Sequence, residues 1–519
     1  MSVKLHKEHI KINEILCSKY GQTTVESDVI VPDINPDVLK VLRISQRAYV
    51  TQKTVQQDRA YIQGVIKLNI LYIPESFECG RIKCINYALD FSHIVEAKGA
   101  KPGMCISCEA ECENISDTLV NSRKLNIKCT VGINVKIAVC SEKEIATEVT
   151  DNENLELKQR VIKLLNSTTD TDKEFVISEK LNLPPGKAPI GEILKIGAVA
   201  SGSELRLAEG KAVVKGELKA SVLYIGKADE EQDGSIEFAE YTLPFTEVLD
   251  VLGLKEGMDG EIDYQIRDMV YRIEDGESGE CTSLTLDVTV GAYIKGTELF
   301  DVSVIEDAYS TTGNINIEKK AYDIERLLDK GYVEIPQKEI LEVPDYLPEI
   351  QKVCDISAIP SVTDVSINGD CLAVKGIISV NMLYITRSSE LPVAGFDKIF
   401  EFSHNFELSE ACENSVCEAK VSAEHLSYNL SGDRNVELRL INSLSIKCMS
   451  SDKTEIIDEI EEDDTPLKEL PTVIIYFVQA GDTLWNIAKH FHTSAEKIAE
   501  DNNLSSDLIK PGQKLMIFR

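Results

Sequence analysis

GVIKLNILYI, residues 64–73, returns as GELKASVLYI from Gly216 and as GIISVNMLYI from Gly376. In the first copy Ile66, Leu68, Ile70 and Tyr72 alternate with Lys67, Asn69 and Leu71, the pattern of a half-buried strand. Upstream of each copy stands a second shared segment: VPDINPDVLKV from Val31, LPPGKAPIGEI from Leu183 and VPDYLPEIQKV from Val343. Pro32 to Gly64, Pro184 to Gly216 and Pro344 to Gly376 are each 32 positions apart, and each Gly lies eight positions before Tyr72, Tyr224 or Tyr384. Two spacings kept three times mark an internal repeat. Each copy continues to a phenylalanine (Phe91, Phe245, Phe402) and then to further apolar-alternating segments.

The repeat sets the domain plan of this 519-residue chain. Residues 1–150 read as an N-terminal helix and repeat one, 151–312 as a linker helix and repeat two, and 313–457 as a linker and repeat three. Residues 458–473 read as an acidic, Pro-containing linker and 474–519 as a small C-terminal module. Four or more strands per copy, with Gly and Asp turns between them, predict a mainly β protein: three sandwich or barrel-like domains followed by a βααβ module. The run Asp458 to Asp464, then Pro466 and Pro471, reads as a solvated connector that leaves the last module free to reach a partner.

A net charge of −32 argues against nucleic-acid binding, because phosphate contacts need Lys and Arg. Residues 476–519 carry five basic and five acidic side chains, so the whole excess of acid lies in residues 1–475. No apolar run is long enough for a membrane span. The N-terminal residues lack the apolar stretch of a secretory signal, which predicts a cytosolic protein with reduced thiols despite fourteen cysteines.

Candidate chemistry dissolves on comparing the copies. Asp33 and Asp37, or Asp345 and Glu349, could pair as catalytic carboxylates, but the middle copy has Pro185 and Pro189 there. The favoured reading is a short helix capped by Asn35, with Pro36 at its first position and an acid in its first turn. Cys105, Cys108 and Cys112 have a spacing near that of half a metal site. Aligned by sequence, Cys108 meets Ile262 and Cys417, Cys112 meets Ile266 and Val421, and Cys129 meets Val288 and Cys448, as expected of a small buried hydrophobe. No nucleophile elbow, phosphate-binding glycine loop or zinc-protease helix is present. The expectation is a protein without catalytic residues, metal or cofactor.

The C-terminal module reads YFVQAGDTLWNIAKHFHTSAEKIAEDNNLSSDLIKPGQKLMIF from Tyr476. Tyr476 and Val478 predict a strand, and Asp482 or Thr483 caps a helix with Leu484, Ile487, Ala488 and Phe491 on one face. Ser494 starts a second helix, Asn502 and Asn503 end it, and Leu515 and Ile517 lie on a closing strand. This segment resembles a LysM domain through Tyr476, Val478, Gly481-Asp482-Thr483-Leu484, Asn503-Leu504, Ile509 and Pro511-Gly512-Gln513. The resemblance implies a shallow groove for N-acetylglucosamine polymers, lined by Gly481, Asp482, Thr483, Leu484, Leu508, Ile509, Lys510 and Pro511. Trp485, the single tryptophan, reads either as a packed ring or as an anchor on that face.

The opening segments VPDINPDVLKV and VPDYLPEIQKV resemble the SPOCS domain of clostridial spore-coat proteins. Repeats followed by one LysM module are similar to the SipL-type family of coat morphogenetic proteins. That resemblance implies a non-catalytic scaffold made in the mother-cell cytoplasm and recruited to the forespore surface and spore coat. It also implies a SpoIVA-type coat ATPase and other coat proteins as partners; peptidoglycan glycan strands are the alternative ligand.

Overall fold

The computed structural model describes residues 3–518 apart from 77–81, 151–153, 228–233, 275–279, 389–390, 392, 409–414, 464, 466, 468–470, 505 and 507, and apart from the side chains of 10–14, 140–141, 163–170, 299, 323–326 and 451–454. Repeat one comprises β1 (Leu5–Ile30), β2 (Val38–Gln56), β3 (Arg59–Pro74), β4 (Lys83–Glu96), β5 (Cys105–Asn121) and β6 (Lys124–Val149). β2–β3–β4 form an antiparallel meander, and β1–β6–β5 form a second sheet facing it. Repeat two uses β7 (Leu155–Asn182), β8 (Ile190–Ala208), β9 (Lys211–Gly226), β10 (Ile236–Asp250), β11 (Asp259–Glu274) and β12 (Ser283–Ser310). Repeat three uses β13 (Asn314–Glu342), β14 (Ile350–Asn368), β15 (Cys371–Thr386), β16 (Val393–Glu407), β17 (Ser415–Leu430) and β18 (Asn435–Asp463). Their sheets, β8–β9–β10 with β7–β12–β11 and β14–β15–β16 with β13–β18–β17, repeat the same order.

The shared glycine and tyrosine now have physical roles. Gly64, Gly216 and Gly376 lie directly across from Phe91, Phe245 and Phe402 in the strand register. A Cβ at any of them would collide with that ring and with the carbonyl oxygen of Tyr49, Ser201 or Ser361 behind it. The phenylalanine covers the bare glycine backbone, and the core closes over both. Gly64→Ala, Gly216→Ala and Gly376→Ala are each expected to destabilise the fold by about 1–3 kcal/mol, read from the urea midpoint at unchanged slope.

The tyrosine ties the strand to the opening segment. Tyr72 donates to Pro36 O at 3.0 Å, Tyr224 to Ala188 O at 2.9 Å and Tyr384 to Pro348 O at 2.9 Å. That segment is a turn closed by Asn35 N donating to Pro32 O, not the expected capped helix. Asn35 donates its side-chain amide to Cys84 O at 3.0 Å instead of capping. Arg123, which sequence comparison passed over, donates to Val31 O, Pro32 O and Asn35 O and pairs with Asp33 and Asp37. Arg434 does the same for Val343 O, Pro344 O and Leu347 O in repeat three. The guanidinium donates to a cluster of carbonyl oxygens, which a helix N-cap, accepting from backbone N–H groups, would leave unsatisfied.

The segments expected as helices before repeats one and two, together with the linker before repeat three, are the long strands β1, β7 and β13, each paired with the last strand of its own repeat. Their far halves run past the sandwiches as three two-stranded arms. Ile145, Ile162, Val302, Val304, Tyr322 and Ile456 form one buried cluster between the arms, and Ala146, Ile305, Ala308, Ile457 and Ile460 form another. Tyr322 donates to Glu144 O at 3.2 Å and Lys7 pairs with Asp458 at 2.7 Å. The acidic run expected as a solvated connector is therefore strand as far as Asp463, with Glu459 to Asp463 paired with Asn314 to Glu318, and Ile460 is fully buried. Alternate residues face the arm core, so an acidic strand satisfies both faces.

The three sandwiches close on one another as a ring. Along β3 burial alternates until Ile70, after which Leu71 is buried as well. Leu71 meets its counterparts Leu223 and Leu383, with Leu194, Cys354, Ile82 and Val393 around them. Beside these leucines in register stand Arg43, Lys195 and Asp355, one from each repeat. Asp355 pairs with Lys195 at 2.6 Å and with Arg43 at 3.4 Å. A second layer reverses the signs: Lys420 of repeat three pairs with Asp263 at 2.7 Å and Glu109 at 3.2 Å, and all three occupy one repeat position. Around the rim Lys136 reaches Glu418, Lys447 reaches Glu261, and Tyr293 donates to Ser107 Oγ, so each repeat grips the next. Head-to-tail contacts that close on themselves make a ring instead of a filament.

The same frame corrects the cysteine alignment. Arg123 and Arg434 hold equivalent turns, which sets Cys129 level with Leu440 and Cys448 level with Ile137. The likeness of LNIKC and LSIKC is therefore out of register. Cys417 lies directly across from Cys448 and is disulfide-bonded to it, contrary to the expectation of reduced thiols throughout. Cys129 is fully buried in the repeat-one core, with Cys108 and Cys112 packed against it, consistent with the apolar reading.

Candidate binding face of the C-terminal module

The module begins with β19 (Val473–Phe477), continues through α1 (Leu484–Phe491) and α2 (Ala495–Asp501), and ends with β20 (Lys514–Phe518), which pairs with β19. Val478, Leu484, Ile487, Ala488, Phe491, Ile498, Leu515 and Ile517 form its core. Thr483 caps α1 by accepting from Asn486 N at 3.2 Å, and Ser494 caps α2 by accepting from Lys497 N at 3.1 Å. Asp482 braces the first turn, accepting from Tyr476 OH and Gln479 N, each at 2.8 Å.

The two loops expected to line a groove lie side by side. Val478 N donates to Gln513 O at 2.9 Å and Gly512 N to Val478 O at 2.8 Å. Within the pair the residues divide by role. Leu484 belongs to the core, Asp482 is held within its turn, and Ile509 is half-buried. Thr483, Lys510 and Pro511 are exposed, Leu508 is 86% exposed, and Gly481 turns at φ 93° with nothing near it. The open face is thus Gly481, Thr483, Leu508, Lys510 and Pro511, small and mixed in polarity.

Trp485 is not on that face. Its ring packs edge-on to Tyr309 with centroids 4.9 Å apart, and its indole N–H donates to Asp307 Oδ2 at 2.9 Å. Asp307 and Tyr309 belong to β12, near the tip of the repeat-two arm. Lys489 reaches both oxygens of Asp307 at 2.6 and 2.8 Å, Tyr309 donates to Thr493 O at 2.8 Å, and His492 Nδ1 lies 2.9 Å from Ser310 O. Burial alone would raise the Asp307 pKa, but the Lys489 ammonium and the Trp485 N–H outweigh it and hold the carboxyl below its ordinary value. The module is docked on the arm, not free on a tether. Repeat comparison could not show this, because Asp307 answers to a partner outside the repeats.

Elsewhere the side chains favour structure over chemistry. Burial pushes the Cys84 thiol up to about 11 and those of Cys108 and Cys354 up to about 12, which keeps them neutral. Among the described residues no three His, Cys, Asp or Glu side chains converge as metal ligands would. A cavity of about 620 Å³ between the repeats is lined by Lys53, Glu109, Asp263, Arg267 and Lys420, several already engaged in pairs.

Family comparison places both parts. The family described as SipL, SPOCS domain matches residues 37–120, 189–274 and 349–431, and the LysM domain matches 476–518. The chain has the SipL-type architecture of three SPOCS domains and one LysM domain. Each SPOCS match runs over the second to fifth strands of a repeat and leaves the long arm-forming strands outside. SPOCS and LysM domains are non-catalytic binding domains. Over 46 residues the chain is 48% identical to the uncharacterized protein YkzQ of Bacillus subtilis, covering 9% of this chain and 61% of that protein. Over 40 residues it is 52% identical to the probable endopeptidase p60 of Listeria welshimeri, 8% of each chain, and 42% identical to the probable autolysin SsaALP of Staphylococcus aureus, 8% of this chain and 15% of that one. No solved structure matches, and no described helix is long and apolar enough to cross a membrane.

Proposed function

We propose that this chain is a non-catalytic scaffold of spore-coat assembly, made in the mother cell, which binds a SpoIVA-type coat ATPase at the forespore surface through the open loops of its LysM domain. The observation that carries this reading is the docking through Asp307. A module braced against the tip of the repeat-two arm, with Leu508, Lys510 and Pro511 left in solvent, is suited to presenting a surface at a fixed angle. SipL-type architecture supports the sporulation setting. Other coat proteins would use the acidic ring, whose charge favours basic partners.

The test is binding of purified basement-layer ATPase to the immobilised full-length chain. Leu508→Asp with Lys510→Glu is expected to weaken binding at least about tenfold, the effect of removing an exposed anchor worth about 1.4 kcal/mol. Unchanged affinity would move the contact to the ring.

Peptidoglycan is the second reading, favoured by the similarity of the LysM-sized segment to proteins named endopeptidase and autolysin. Here the same loops would hold N-acetylglucosamine chains. Co-sedimentation with polymeric peptidoglycan separates the two, since a protein adaptor stays in the supernatant. A single LysM module also forgoes the avidity of tandem copies.

A further inference from the structure

The sheet of the LysM domain has a second surface, separate from its loops. β19 pairs with β20 alone, so its outer edge carries no further strand among the described residues. Ile474 and Tyr476 turn inward to the helices, while Val473, Ile475 and Phe477 face out at 53%, 52% and 61% exposure. Met516, across from Ile475 on β20, extends this apolar stripe at 41% exposure. From Pro471 to Gly481 the sequence PTVIIYFVQAG has no charged residue. Proteins ordinarily blunt such an edge with lysine, a bulge or an inward charge; here a strand of five apolar residues has none of these, and three of its side chains are exposed.

We infer that β19 is the contact through which two copies of this chain associate, edge to edge and antiparallel about Ile475. The strand is self-complementary in that arrangement. Ile475 meets Ile475 of the second copy, and Val473 meets Phe477, a β-branched residue against an aromatic at both ends. No like charges oppose one another, because the segment has none. Charge distribution selects the same site. The excess of 32 negative charges lies in residues 1–475, whereas residues 476–519 balance five against five. Two acidic rings repel each other, and the neutral module is where copies can approach. Docking at an arm tip holds the module away from the ring's own acidic sandwiches. The result is an isologous four-stranded sheet, β20–β19–β19–β20, closing a two-fold dimer.

The experiment is sedimentation equilibrium of the full-length chain across a wide concentration range. The wild type is expected to rise toward twice the chain mass. Ile475→Lys and Ile475→Glu, each placing like charges face to face on the two-fold, are expected to stay monomeric. An equimolar mixture of the two, which sets Lys against Glu, is expected to recover the dimer. Emission from Trp485 checks that each variant keeps its folded, docked module, and Phe477→Glu carries the same test if either loses it. A wild type that remains monomeric, an Ile475→Lys chain that associates like the wild type, or a mixture that does not recover would each overturn the assignment.

Discussion

Replacing Asp355 by alanine is expected to lower the unfolding free energy by about 3–5 kcal/mol, the cost of leaving buried charge unpaired. Asp355 is 11% exposed, and its partners Arg43 and Lys195 are 14% and 15% exposed. The substitution leaves two cations facing each other where the three sandwiches meet, and Arg43 retains Ser357 Oγ at 3.2 Å. A fall in urea midpoint at unchanged slope would report it. The reversed layer provides an internal contrast. Lys420 is 53% exposed, so Lys420→Ala should cost no more than about 1 kcal/mol. Burial opposes ionisation of Asp355, but Lys195 and Arg43 prevail and depress its pKa. A carboxyl with a depressed folded pKa stabilises above its unfolded value of about 3.9 and loses that contribution as pH falls through the folded value. The ring should therefore loosen in acid below the usual aspartate range and not at neutral pH.

Asp307→Ala should undock the LysM domain while leaving it folded. The change removes the acceptor of both Trp485 and Lys489, with an expected loss of about 1–3 kcal/mol in docking. Because Lys489 is 40% exposed, the ion pair is screened and the indole contact carries much of this. Trp485 is the single tryptophan, so its emission reports the docking directly. A red shift in the variant, with the helical signal of α1 and α2 retained, is the expected result. The wild type should show the same shift on acidification, since the Asp307 pKa is depressed and its contribution disappears as pH falls through it. An unshifted spectrum would mean that the Tyr309–Thr493 and His492–Ser310 contacts hold the module without Asp307.

What could be read from residues alone was local. Glycine to tyrosine in eight positions is one strand with its clamp, and the alternation around Ile66, Leu68 and Ile70 matches the inward face of β3. The LysM helices begin at Thr483 and Ser494 because caps are encoded within three residues of the groups they satisfy. The arms are not legible in the sequence because β13 finds its hydrogen bonds on β18, from 93 residues away at Glu342 to 149 at Asn314, and such pairing overrides local preference. The ring was hidden for a related reason. Arg43, Lys195 and Asp355 share one repeat position, as do Glu109, Asp263 and Lys420, yet opposed signs at one position look like surface drift until the repeats face one another. Trp485 shows the limit for the site: its position in the LysM motif was clear, but its burial depends on Tyr309, which lies in a different domain.

The most direct test of the scaffold account is recovery of the basement-layer ATPase with the tagged chain from sporulating cells, comparing full length with a truncation at Thr465. The cut falls beyond β18, so the three-repeat ring keeps all its strands. Loss of the ATPase on truncation is the predicted result. Equal recovery would contradict the LysM placement, assign the contact to the acidic ring, and leave the loops around Leu508 to glycan.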